Sequence, residues 1–191
     1  MPSPAFTAHT PDTAPAAARP ITEGVRRKFG YLPVPVALMA ESPHLLKGFL
    51  TVNGIFEQCS LDPVEREVVV LTVATRNECH VCVAMHTGTL AGQGADPALI
   101  GALRSGTPLS EARLEALRLF TLAVLDHRGA VPDDVLRAFL TAGYHPGNAL
   151  DVVLGVGTYT ISTFANRLTD APLDPQLADH AWTPTPVAAG D

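Results

Sequence analysis

Apolar and polar residues alternate with the period of an α-helix over most of the chain. Four large apolar residues after Ser110 recur at intervals of 3, 3 and 4, as one face of a helix requires: Leu114, Leu117, Phe120 and Val124. Proline and glycine divide this pattern into segments, because proline favours the first turn of a helix and glycine its end. The pattern predicts helices over residues 22–28 (capped by Thr22), 43–57, 63–76, 79–91 and 146–168, with two more beginning near Ser110 and Pro132.

One segment, residues 68–73, fits a strand as well as a helix. Its sequence is Val-Val-Val-Leu-Thr-Val, and β-branched residues are common in strands. We favour a helix because Asp62-Pro63 is a helix-start signal, the run to Arg76 is long for a strand, and no partner strands are evident. A helix that is apolar on all sides belongs in the interior. The sequence as a whole therefore predicts an all-α fold, a multi-helix bundle.

The two ends of the chain differ in composition from the middle. Prolines at positions 2, 4, 11, 15 and 20 oppose regular structure, so we expect residues 1–20 to form a flexible arm. Residues 183–191 are similar and are expected to form a flexible tail. A single all-helical domain is predicted over residues 21–182, and its most informative stretch is residues 61–94.

Composition excludes several classes of protein. The 191 residues include 13 Lys and Arg against 19 Asp and Glu, and this net charge of −6 argues against nucleic-acid and anionic-membrane partners. The longest apolar stretches are less than half of a membrane span, and no secretion signal is evident, so a cytoplasmic location is expected. Only 17% of residues are charged and the mean hydropathy is +0.19, so we expect exposed apolar surface that a homo-oligomer covers.

Candidate chemistry is concentrated at Cys79, Cys82 and His86. The two cysteines are three residues apart at the predicted start of a helix, so their thiols share one face and can form a disulfide. The N–H groups and the dipole at that helix end favour thiolate over thiol. His86 follows Cys82 by one turn, where an imidazole could take up and return the thiol proton. Zinc ligation by these residues is the alternative, although no second Cys or His pair follows at zinc-finger spacing; we expect neither a metal nor an organic cofactor.

Polar neighbours extend this candidate site. Glu67 falls on an apolar face of the preceding helix, where a carboxylate needs hydrogen bonds, so it could complete a proton relay with the imidazole and the thiols. Glu65 falls on a different face and is expected to be solvated. His80 is a secondary candidate at the exposed flank of the thiols. Spacing leaves open whether His145 and Asn166 approach from the C-terminal helices.

Glu67, eleven intervening residues, Cys79-x-x-Cys82, three further residues and His86 resemble the alkylhydroperoxidase D core of the carboxymuconolactone decarboxylase-like superfamily. The match is close over residues 61–94, and residues 158–174 resemble more loosely the longer, peroxidase-related branch. The resemblance implies an all-helical fold that assembles as trimers or hexamers; composition alone also allows a dimer. It further implies thiol-dependent reduction of hydroperoxides, whereas the branch that decarboxylates lacks the cysteine pair.

The same resemblance implies roles for the individual residues. Cys82 would attack the peroxide and Cys79 would resolve the sulfenic acid, while His86 and Glu67 would move protons. Position alone leaves the order of the cysteines open, because the helix dipole favours Cys79. The expected partners are a hydroperoxide substrate and an external dithiol of lipoyl or thioredoxin type. Well-studied peroxidases of the family carry a histidine immediately before the second cysteine, where this chain has Val81.

Two alternatives stay open at this stage. A thioredoxin-type thiol–disulfide oxidoreductase would use residues 68–73 as a strand before Cys79, but it needs further strands and a proline that faces the dithiol. A helical oligomer that senses oxidants through the dithiol would form the disulfide without enzymatic turnover.

Overall fold

A computed structural model describes residue 3 and residues 5–184 of the chain. All regular secondary structure in these residues is helical. Within those residues, nine α-helices are followed by a 3-10 helix at Pro175–His180. The α-helices are α1 Arg19–Phe29, α2 Val34–Met39, α3 Pro43–Phe56, α4 Pro63–Arg76, α5 His80–Gly92, α6 Pro97–Ser105, α7 Ala112–Asp126, α8 Asp133–Thr141 and α9 Pro146–Leu168. The predicted all-α class is confirmed.

Local chemistry explains where the predicted helices begin. At the start of α4, Asp62 accepts the backbone N–H of Glu65, and the Glu65 carboxylate accepts the N–H of Asp62, which forms a capping box. Ser42 caps α3 by accepting a backbone N–H three residues later. The cap predicted at Thr22 is wrong, because α1 begins at Arg19 and Thr22 is buried within the helix.

Two helices lie where the sequence pattern predicts none. The prolines near α2 suggest an interruption, yet Pro35 stands in the first turn, where a helix does not need its N–H. α6 begins at Pro97 after Asp96, whose carboxylate accepts the N–H of Ala98. This is the same Asp-Pro start signal that opens α4.

α4 is the central helix of the fold. It packs against α5, α6, α7 and α9, and residues 68–73 are buried on every side. The choice of a helix for these residues is therefore confirmed. Since the described residues contain no β-strand, the strands that a thioredoxin-type protein needs are missing from that part of the chain.

The segment before α1 packs onto a small apolar cluster that is separate from the main core. This cluster consists of Ala14, Ala18, Met39, Ala40 and Leu46. Residues 1, 2 and 4 of the predicted arm and residues 185–191 of the predicted tail lie outside the described residues. The boundaries predicted for the arm, domain and tail stay predictions.

α9 buries one side against α3 and α4 and leaves apolar side chains on the other. Leu150, Val153, Phe164 and Leu168 are between 48% and 72% exposed. None of the helices in the described ranges combines the length and the apolar character that crossing a bilayer requires.

Candidate active site

The turn between α4 and α5 places Cys79 at a helix end. The N–H of Cys79 donates to the carbonyl of Ala74, and the N–H of Glu78 donates to that of Thr75, which is a Schellman ending of α4. Glu78 occupies the left-handed position of this turn, with φ of 52°. Cys79 then serves as the N-cap residue of α5, so one residue both closes α4 and opens the next helix.

The two sulfurs of this motif lie side by side in the interior. Cys79 Sγ and Cys82 Sγ are 2.9 Å apart as free thiols, and the residues are only 1% and 4% exposed. A small rotation would bring the sulfurs to the roughly 2.05 Å of a disulfide. The predicted juxtaposition of the two thiols is therefore present in the fold.

The surroundings of the two thiols separate their pKa values. The pKa of Cys79 is lowered from 9.0 to about 7, mainly by the neighbouring Cys82 thiol. Burial of Cys79 opposes this effect. The N–H groups of Cys82 and Val81 and the amide of Asn166 also favour the thiolate, although Cys79 makes no regular capping hydrogen bond. The same contact with Cys79, together with burial, raises the pKa of Cys82 well above its usual range. Cys79 is therefore the more acidic thiol of the pair.

α9 forms the opposite wall of the site through one buried polar face. Asn166 Nδ2 donates toward both sulfurs, at 3.3 Å from Cys82 and 3.8 Å from Cys79. Ser162 Oγ lies 3.7 Å from the Cys82 sulfur. Tyr159 meets the His86 ring edge to face, with 5.0 Å between ring centroids. Residues 159, 162 and 166 recur at helical spacing, so one side of α9 contacts the whole dithiol and imidazole group.

Glu67 and His86 form a buried pair next to the thiols. His86 Nδ1 and Glu67 Oε2 are 2.8 Å apart, and Glu67 is 5% exposed. When the carboxylate is charged, Nδ1 carries the proton and donates it, which leaves Nε2 as the acceptor. Neither sulfur is hydrogen bonded to His86 among the described residues, so a proton that passes from Cys82 to this ring needs a small rotation or an intervening water.

Of the remaining candidates from the sequence, His80 lies at the site, whereas Glu65 and His145 stabilise the helices around it. Glu65 is wrongly predicted to be solvated: it is buried, and besides capping α4 its carboxylate accepts two hydrogen bonds from Arg113 at 2.8 and 3.1 Å. His80 stands at the first turn of α5 and lines a cavity with Cys79. His145 is instead the N-cap residue of α9.

Sequence reasoning missed the contribution of Tyr159 and Ser162 and left Asn166 open. Their signal is a line of polar residues at helical spacing on a helix that is otherwise largely apolar. Metal ligation has no comparable support, because no three His, Cys, Asp or Glu residues converge on a common point in the described part of the chain.

Comparison with known proteins places this site in a family. Residues 43–125, which include both cysteines, His86 and Glu67, match the carboxymuconolactone decarboxylase family. A peroxidase-related protein from Ralstonia eutropha JMP134, described as an alkylhydroperoxidase AhpD core, superposes with a TM-score of 0.78 at 19% identity over 90% of this chain and 93% of its own. Residues 43–125 are thus similar to that family, and the chain as a whole shares the fold of the AhpD core protein.

Two other solved structures are similar over nearly the whole chain. A peroxidase-related protein from Silicibacter sp. TM1040 has a TM-score of 0.75 at 18% identity, with coverage of 93% of this chain and 96% of its own. The debrominase Bmp8, as a cysteine-to-alanine variant in complex with 2,3,4-tribromopyrrole, has a TM-score of 0.73 at 12% identity, covering 94% and 96%. No curated protein matches the sequence. At these identities the structural likeness shows a shared fold.

Proposed function

We propose that this protein is a thiol-dependent peroxidase of the alkylhydroperoxidase D-like superfamily, which reduces hydroperoxides through Cys79 and Cys82. The observation that carries the proposal is the buried thiol pair at 2.9 Å, one of whose members has its pKa lowered to about 7. A thiolate at neutral pH is the species that attacks a peroxide, and a second thiol in contact can capture the product before it is oxidised further.

The reaction divides into three balanced steps. One thiolate attacks the distal oxygen of ROOH, the O–O bond breaks, and the leaving RO⁻ takes a proton to give ROH and a sulfenic acid. The other thiol loses its proton and attacks the sulfenic sulfur, which forms the Cys79–Cys82 disulfide and releases water. An external dithiol then exchanges with this disulfide, so that two electrons from the reductant replace the two that reduced the peroxide.

The Glu67–His86 pair supports the second step. The pKa of the Cys82 thiol is raised by contact with Cys79 and by burial. The contact with a Cys79 thiolate ends when Cys79 is oxidised, but burial remains, so the thiol needs a base before it can act as a nucleophile. His86 follows Cys82 by one turn of α5, and Glu67 orients its ring with Nε2 available to accept. We assign proton transfer at Cys82 to His86 and the orientation of His86 to Glu67.

The direct test is steady-state peroxide consumption with lipoyl, thioredoxin-type and small-thiol reductants. Wild type is expected to turn over with at least one reductant, while Cys79→Ser and Cys82→Ser lose at least a hundredfold in rate. Cys59→Ser is the matched control, because Cys59 is a half-buried free thiol with no hydrogen bond to either sulfur of the dithiol among the described residues. Rates that are equal in wild type and in both dithiol variants would contradict the proposal.

Two other results would also contradict it. Stoichiometric disulfide formation without turnover by any reductant would identify an oxidant sensor. Because Bmp8 shares the fold, a brominated pyrrole is a useful second substrate, and turnover of it without any turnover of hydroperoxides would indicate dehalogenation.

We further propose that the protein acts as a homo-oligomer. The support is the low charge of the chain and the exposed apolar row of α9, which is costly to leave in water. Sedimentation or light scattering should give a mass that is a multiple of 20.1 kDa. A mass of one chain at micromolar concentration would contradict this proposal.

A further inference from the structure

A polar cavity lies beside the dithiol, on the side of Cys79. Its volume is about 250 Å³, and we call it the Cys79 pocket; its walls are Glu78, Cys79, His80, Asn166, Arg167 and Asp170. All of these residues except Cys79 are polar, and Cys82 is not among them. A ligand in this cavity therefore meets Cys79 first.

Two helix endings build the pocket. Glu78 occupies the left-handed position after α4, and Asp170 occupies the equivalent position after α9, with φ of 52° and 49°. The N–H of Ala171 donates to the carbonyl of Asn166, so α9 ends in the same type of turn as α4. Arg167 joins the two endings by donating to the Glu78 carbonyl at 2.8 Å. The walls are thus fixed by two backbone turns and by the side-chain hydrogen bond that Arg167 makes between them.

Asn166 gives the pocket an unsatisfied polar atom. Its Nδ2 faces the sulfurs, while its buried Oδ1 has no hydrogen-bond partner among the described residues, and the residue is only 5% exposed. An unpaired buried carbonyl costs about 1–3 kcal/mol, so such atoms are rare unless a ligand or water satisfies them. Because this oxygen is fully buried, the O–H of a hydroperoxide can donate to it only after the Asn166 amide turns toward the pocket.

We propose that small polar hydroperoxides enter through the Cys79 pocket, that Cys79 is the sulfur they oxidise, and that His80 protonates the leaving oxygen. This inference rests on the proposed peroxidase function and reverses the order of cysteines that the family resemblance implies. Cys79 attacks the distal oxygen, the O–O bond breaks, and RO⁻ takes a proton from the His80 side chain to leave as ROH. Cys82 then displaces hydroxide from the Cys79 sulfenic acid, which leaves as water after taking a proton.

Trapping of the sulfenic acid tests which sulfur reacts. In a Cys59→Ser background, Cys82→Ser and Cys79→Ser are treated with one equivalent of hydrogen peroxide and dimedone, and the adducts are located by mass spectrometry. Dimedone is expected on Cys79 in the first variant, with at least tenfold less on Cys82 in the second. The reverse ratio would overturn the inference. Circular dichroism confirms that each variant is folded, and Cys79→Ala replaces Cys79→Ser if the serine variant is not.

A second experiment tests His80 with both dithiol cysteines in place. His80→Gln should slow oxidation by hydrogen peroxide at least tenfold, because general acid catalysis typically contributes about 10²–10⁴. In the same variant, the rate at which iodoacetamide alkylates Cys79 should change less than twofold, since iodide leaves without taking a proton. His127→Gln, at an exposed position after α7, is the matched control and should change neither rate. If both reactions slow equally in His80→Gln, His80 only supports the thiolate and the inference fails.

Substrate preference and turnover separate this inference from the proposed function. kcat/KM for hydrogen peroxide should exceed that for cumene hydroperoxide about tenfold, because the pocket is small and polar; the opposite preference would count against it. Turnover with the sulfenic acid on Cys82 would refute the inference and leave the peroxidase proposal intact. A sulfenic acid on Cys79 without turnover by any reductant would refute the peroxidase proposal and uphold the assignment of Cys79.

Discussion

Titration of the thiols is the sharpest test of the electrostatics at the site. Contacts with the Cys82 thiol and with polar groups at the start of α5 lower the pKa of Cys79 from 9.0 to about 7. This difference corresponds to roughly 3 kcal/mol in favour of the buried thiolate. Cys79 should then be about half ionised at pH 7 and roughly 10% ionised at pH 6, whereas a thiol with pKa 9.0 is only about 1% ionised at pH 7.

The assay is alkylation by iodoacetamide across the range from acidic to alkaline pH, with each cysteine quantified by mass spectrometry. The rate at Cys79 should rise with pH and reach half of its plateau near pH 7. Cys59 provides an internal control, because burial raises its pKa and its rate should still be climbing at alkaline pH. A half-maximal rate at Cys79 near that of Cys59 would refute the reasoning.

The cause of the lowered pKa can be tested in the same assay. The Cys82 thiol is the largest single contributor, so Cys82→Ala should move the half-maximal pH of Cys79 upward. Cys82→Ser keeps a hydroxyl donor and should move it less. The same pKa also affects stability. Because the folded pKa of Cys79 is depressed, the contribution of Cys79 to the free energy of unfolding is lost as pH falls through about 7. An unchanged midpoint in Cys82→Ala would assign the effect to the helix end.

Three further changes have defined outcomes. Glu67→Gln should lower kcat/KM for peroxide about tenfold or more by misorienting His86, with Glu111→Gln at an exposed position as the control. Gly155→Ala should cost about 1–3 kcal/mol in chemical denaturation, because its Cβ would lie 2.7 Å from Phe56, whereas Gly157→Ala meets nothing within 4 Å and should cost nothing. Arg113→Ala should cost about 1–3 kcal/mol by removing two hydrogen bonds from the buried Glu65, and thermal unfolding that matches wild type would contradict this.

Local periodicity was sufficient to predict the helical side of the site. The Asp-Pro signal at Asp62, the spacing of Cys79, Cys82 and His86, and the position of Glu67 each depend on one helix and its first turn. Such features are encoded within a few residues, so a single sequence reveals them. The same reasoning applied to Asp96-Pro97 would have predicted α6.

The periodicity of the sequence does not predict the tertiary contacts of the site. Glu65 falls on another face of α4 from Glu67, and only the packing of α7 brings Arg113 to cover it. Asn166 is 84 residues from Cys82, and its contact with the sulfurs requires the crossing of α9 over α4 and α5. The difference in pKa between the thiols likewise follows from atomic positions at the turn after α4, which the Cys-x-x-Cys spacing does not specify.

The energetics of α4 favour a chemical role for its buried carboxylate. Residues 68–73 form an apolar core that would tolerate another apolar side chain at Glu67, and a buried ion pair is often no more stable than a well-packed apolar pair. Glu67 has His86 as its one side-chain hydrogen-bond partner among the described residues, so its burial is compensated only through that imidazole. A fold selected for stability alone has no need of this arrangement. The need arises at Cys82, whose buried thiol must lose its proton before the disulfide can form.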